Sequence, residues 1–147
     1  GNLSNWWTEA DREAFEKKTA ALVEQFNAFE PVEGMHVNGE FTLGENIGDL
    51  SGVAMAYRAY IRSLKGEEPP VIDGFTGPQR FFIGYAMSRK GKYQEEAVIN
   101  RLASDPHSPL KYRVNDPYPN IDAFHQAWNT VAGDGMWIAP EERVRIW

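Results

Sequence analysis

The sequence predicts a mainly α-helical chain forming one structural unit, on three observations. Apolar residues recur at three- and four-residue spacing over long stretches. Clusters of Gly and Pro separate those stretches. No internal repeat, low-complexity tract or linker divides residues 1–147.

The elements follow in order. Thr8 reads as an N-cap with Asp11 at the capping-box position. Phe15, Thr19, Leu22 and Phe26 continue at helical spacing, so 8–27 reads as an amphipathic helix. Pro31 and Gly34 end it, and 34–41 reads as a loop or short extended piece. A second helix is expected from Thr42, with Leu50, Val53, Tyr57, Ile61 and Leu64 as its apolar stripe. Gly66, Pro69 and Pro70 stop it, and a loop follows through Pro78. Further helices are expected over 78–90, 93–104 and 120–130, about five in all. Pro106 and Pro109 keep 104–109 irregular, and the tail 131–147 is punctuated by Gly and Pro.

A chain of 147 residues can bury a real core. Its 42% hydrophobic and 24% charged content is that of an ordinary globular protein. A formal charge of −6 argues against nucleic-acid binding as a main role. No apolar run approaches the roughly 20 residues of a membrane span, and no N-terminal segment reads as a signal peptide. With no cysteine, disulfides and thiolate metal sites are excluded. Aromatics at 13%, five of them Trp, suit a packed core and apolar pocket walls.

Candidate chemistry centres on two segments. In Gly44-Glu45-Asn46-Ile47-Gly48-Asp49 two carboxylates lie four apart, on one face of a helix. Such a pair can deliver a metal ligand and a carboxylate that orients another ligand. The same residues admit a plainer reading. Thr42-Leu43-Gly44-Glu45 fits a capping box, and Asp49 fits a solvated face. The second segment is Asp105-Pro106-His107, a stiff loop in which a carboxylate can orient an imidazole and favour its protonated form. Six residues on, Arg113 offers a planar fork for a carbonyl or carboxylate, or a surface ion pair. His36, in a Gly-rich loop, fits a backbone hydrogen bond, and His125 a structural or surface role.

Four blocks in order resemble the neprilysin family of zinc metallopeptidases, across nearly the whole chain. They are Asn5-Trp6-Trp7-Thr8; Val37-Asn38-Gly39 through Thr42-Leu43-Gly44-Glu45-Asn46-Ile47-Gly48-Asp49; Asp105-Pro106-His107-Ser108-Pro109 with Tyr112-Arg113-Val114-Asn115; and Arg143-Val144-Arg145-Ile146-Trp147. The resemblance, to the neprilysin and endothelin-converting enzyme family, implies the C-terminal part of a thermolysin-like catalytic lobe. Carried over residue by residue, it implies Glu45 as third ligand of one zinc ion and Asp49 as partner of a ligating histidine. It implies His107 as stabiliser of the tetrahedral intermediate, oriented by Asp105, and Arg113 as holder of a substrate backbone carbonyl. Gly48 and Ser51 replace the family's usual Ala and Gly without disturbing the register of the carboxylates. Met87-Ser88-Arg89-Lys90-Gly91 stands where the family often has a pocket-lining Trp, so side-chain preference does not carry over. The lack of cysteine points to a bacterial member.

The family's H-E-x-x-H, which carries two zinc ligands and the general base, is absent. The expectation is that it lies upstream of Gly1, in the remainder of one polypeptide. The intact parent is then a zinc endopeptidase acting on oligopeptides, extracytoplasmic by resemblance alone. This chain by itself is expected to be inactive, poor at holding zinc, and prone to self-association through uncovered apolar surface. Two other readings stay open: a non-catalytic binding or scaffold module, and an unrelated all-helical structural domain.

Overall fold

The computed structural model describes residues 6–146. Asn5 and Trp147, two positions of the matched blocks, and the expected boundary at Gly1 lie outside the described residues. Among those described, the chain forms α1 (Glu9–Asn27), α2 (Gly39–Ser63), α3 (Gly77–Ser88), α4 (Glu95–Ser104), the single turn α5 (Tyr112–Asn115) and α6 (Asp122–Trp128), with a 3₁₀ turn at Tyr118–Asn120. The mainly α expectation holds.

Helix α1 starts as its sequence dictates, with Thr8 and Asp11 satisfying each other's backbone N–H groups. Helix α2 departs from expectation. It begins three residues before Thr42, because Asn38 caps it by accepting from the Phe41 N–H at 2.9 Å. Gly39 fits there for a steric reason. A Cβ at this position would lie 2.4 Å from the Val23 carbonyl oxygen of α1. Its N–H donates to Asn27 Oδ1 at 2.7 Å, joining the end of α1 to the start of α2. The capping box at Thr42 and Glu45 is therefore overturned. Thr42 lies inside the helix, with its hydroxyl donating to the Asn38 carbonyl at 3.0 Å.

Helix α3 opens on a capping box between Thr76 and Gln79, with Pro78 in its first turn, where the missing N–H costs little. The α5 and 3₁₀ turns were not anticipated, since pieces of four and three residues are too short for periodicity to reveal.

The centre is aromatic. Phe82 is 1% exposed and meets Tyr57 at 5.3 Å, Tyr118 at 5.1 Å and Phe124 at 5.5 Å between ring centroids. Leu22 and Phe26 of α1, Val53 of α2 and Val37 between the two helices belong to the same buried cluster. Asn120, also buried, ties the tail to this body. Its Oδ1 accepts from the Val144 N–H at 2.7 Å, and its Nδ2 donates to Gln25 Oε1 at 2.8 Å and to the Asp116 carbonyl at 2.9 Å.

Candidate functional site

The buried stripe of α2 begins well before Leu50. Thr42, Asn46, Asp49, Leu50 and Val53 all face inward, at the spacing of one helix face. Glu45 lies at the edge of that face with its side chain 44% exposed. Opposite stands the loop after α4. Its backbone is pinned locally, because Asp105 Oδ1 accepts from the His107 N–H at 3.0 Å and lies 2.7 Å from His107 Nδ1. Arg101, one turn back on α4, donates to Asp105 Oδ2 at 2.7 Å. The His107 backbone bond and the Arg101 guanidinium hold the Asp105 carboxyl down at about 2.

These two elements meet. His107 Nε2 is 2.9 Å from Glu45 Oε2, so the imidazole stands between two carboxylates. Arg113 projects from α5 and grips Asp49 with both arms of its fork, Nε to Oδ2 at 2.5 Å and Nη2 to Oδ1 at 2.9 Å. It also lies 3.7 Å from Glu45 Oε2. The hydrogen bonds to Asp49 raise the Arg113 pKa against the opposing effect of burial. Neither surface alternative survives, since the Asp49 and Arg113 side chains are only 6% and 11% exposed. Glu45, Asp49, Asp105, His107 and Arg113, drawn from three segments, thus form one connected network.

Four contributors escaped the sequence reading. Tyr85 donates to Asp49 Oδ1 at 3.2 Å, and burial followed by the Asp49 charge raises its pKa. Arg89 donates to the same oxygen at 3.1 Å and keeps its Nε buried without a partner. Asn46 and Ser108 are buried and bonded to each other at 2.8 Å. Asn46 was findable, being four residues from both Thr42 and Leu50. Tyr85 comes from α3 and Arg89 is the residue that caps its end, and no local pattern links either to α2.

The other two histidines serve the framework. His36 Nδ1 lies 2.9 Å from the Asn27 carbonyl oxygen. His125 is buried, with Nε2 2.8 Å from the Pro119 carbonyl oxygen and Nδ1 against Thr130 Oγ1.

Among the described residues no group of three His, Cys, Asp or Glu side chains could hold a metal ion. Glu45 fits a metal as a single oxygen donor, exposed on its solvent side and already flanked by His107.

Comparison with known proteins gives a consistent identity. The model of peptidase family M13 matches residues 1–144. Mouse membrane metallo-endopeptidase-like 1 is 37% identical over 153 residues, covering 100% of this chain and 20% of its own length. The neutral endopeptidase of Lactobacillus helveticus is 35% identical over 149 residues, covering 100% of this chain and 21% of its own. The zinc metalloprotease Zmp1 of Mycobacterium tuberculosis, solved with an inhibitor, superposes with a TM-score of 0.94 at 47% identity, over 99% of this chain and 23% of that one. The chain therefore spans about a fifth of the length of the curated relatives it matches. With its helical architecture matched over almost every residue, the chain belongs to peptidase family M13.

Proposed function

We propose that this chain forms one wall of a zinc endopeptidase site whose other wall lies elsewhere in a longer polypeptide. The observation that carries the reading is the convergence of Glu45, Asp49, His107 and Arg113 into one network at contacts of 2.5–3.7 Å. The likeness to a zinc metalloprotease supports the identity of the metal.

On this reading Glu45 holds the zinc together with two histidines supplied from outside this chain. When bound, the ion would supply Lewis-acid polarisation of a carbonyl and of a water molecule. Asp49 orients one ligating histidine. It already receives three hydrogen bonds on Oδ1 and one on Oδ2, so Oδ2 keeps a position for a further N–H. His107, aimed by Asp105, donates to the carbonyl oxygen as negative charge develops on it. Such donors contribute about 2.7–4 kcal/mol in comparable sites. Arg113 is braced by Asp49 and offers its remaining donors to a backbone carbonyl of the peptide. Substrates are oligopeptides, and the chain alone is inactive.

An extracytoplasmic location for the whole protein rests on family likeness. No described helix is long and apolar enough to cross a membrane.

The test uses the full-length protein. Glu45→Ala is expected to lose zinc and turnover together. Asp49→Ala is expected to keep part of the zinc while activity falls about 10–100-fold. Metal analysis after dialysis and steady-state kinetics read both. Full zinc and full rate in Glu45→Ala would remove Glu45 from the metal site and end the proposal.

A further inference from the structure

We propose that Asn46 and Ser108 are positioning residues that set the distance and aim of His107 relative to Glu45. The inference rests on the reading above and concerns residues that the reading leaves without a role.

The problem they solve is geometric. Glu45 and His107 come from segments 62 residues apart in sequence. Among the described residues no backbone hydrogen bond joins α2 to the 105–111 loop. The contacts of Asp105 with His107 and Arg101 fix the imidazole relative to α4, not to α2. The Arg113–Asp49 pair enters six residues further on, from α5. The clasp next to the paired groups themselves is Ser108 Oγ donating to Asn46 Oδ1 at 2.8 Å. Asn46 directly follows Glu45, and Ser108 directly follows His107.

The clasp has a defined direction. The Thr42 hydroxyl spends its proton on the Asn38 carbonyl, so towards Asn46 it can only accept. That orients the Asn46 amide, with Nδ2 towards Thr42 at 2.8 Å and Oδ1 towards Ser108. Asn46 and Ser108 are 1% and 2% exposed, so no bulk water competes for these bonds. The chain from the Asn38 carbonyl through Thr42 and Asn46 to Ser108 therefore runs from the start of α2 to the His107 loop as a directed strut. None of its members is a residue that the reading assigns to the metal. Whatever Glu45 binds, the strut limits how far the loop carrying His107 can drift. Misplacement of a catalytic group by about 1 Å can cost on the order of 100-fold in rate.

The test takes Asn46→Ala, Ser108→Ala and the double variant in the full-length enzyme. Ser108→Thr, which restores the hydroxyl, and Glu45→Ala serve as controls. Each single change is expected to lower kcat by about 10–100-fold with KM and zinc content unchanged. The double variant is expected to lose no more than the worse single, because both remove one clasp. Hydrogen exchange at residues 105–110 is expected to speed up in both singles. Ser108→Thr is expected to recover part of kcat, and Ser108→Ala carries the test alone if Asn46→Ala does not fold. Unchanged kcat, multiplying losses in the double variant, or loss of zinc in place of rate would each overturn the proposal. Glu45→Ala reports separately on the metal site, so failure of the strut and failure of the zinc reading give different patterns.

Discussion

Along α2, the half nearest Asn38 buries Thr42, Asn46 and Asp49, whereas the half nearest Ser63 lays Tyr57 and Tyr60 against Phe81 and Phe82 of α3. The two halves are held by different physics. Ring packing is close, its preference for stacked or edge-to-face pairs adds only about 0.5–1.5 kcal/mol each, and several rings share each contact. Buried polar groups need particular partners at particular angles, and a missing partner costs the full desolvation of the survivor. Asp49 meets this demand with Arg113, Arg89 and Tyr85 at once. The aromatic half therefore supplies stability, and the polar half supplies position.

The largest expected effect lies in the aromatic half. Phe82→Ala should cost about 3–5 kcal/mol in denaturant unfolding, while Phe82→Leu, which keeps most of the side-chain volume, should cost clearly less. A Leu variant as damaged as the Ala variant would show that ring geometry matters there as much as hydrogen-bond geometry does in the polar half.

Arg113 is the converse case. In the full-length enzyme Arg113→Lys keeps the charge but loses the fork that grips Asp49. It should raise KM about tenfold or more, much as Arg113→Ala does, with kcat less affected. Wild-type kinetics from the Lys variant would mean that charge alone suffices, and the contrast between the halves would collapse.

Asp116 sharpens the comparison, being a buried carboxylate without the partners that Asp49 has. Its Oδ2 is buried and unbonded, and burial pushes its pKa to about 8. The folded state then holds this proton from about pH 4 to 8 while the unfolded state releases it. Stability from this group is accordingly present at low pH and lost progressively as pH rises towards 8. Asp116→Asn should raise the melting temperature more at pH 8 than at pH 5. An equal change at both values would show that the carboxylate finds a partner when it ionises.

The smallest effect concerns the start of the helix. Asn38→Ala should cost about 1 kcal/mol of stability by removing the cap on the Phe41 N–H. A loss near zero would shift the start of α2 back to Thr42.

The sequence by itself determined what is local. The Thr8 capping box, the apolar spacing of α1 and the proline-stiffened loop with Asp105 beside His107 all follow from residues a few positions apart. Ordered motifs also named the family, since four blocks in register carry more information than any one spacing. The start of α2 lay beyond such a reading, because the Asn38 cap and the Thr42 box compete locally. The Gly39 N–H bond to Asn27, at a place where α1 leaves no room for a Cβ, favours the former. Only tertiary structure decided that Glu45 is no helix cap but faces His107, that Asp49 is buried beneath Arg113 and Arg89, and that Asn46 clasps Ser108. Each of these joins segments 40 or more residues apart. Periodicity reports which side of a helix is buried, not which distant side chain arrives to satisfy it.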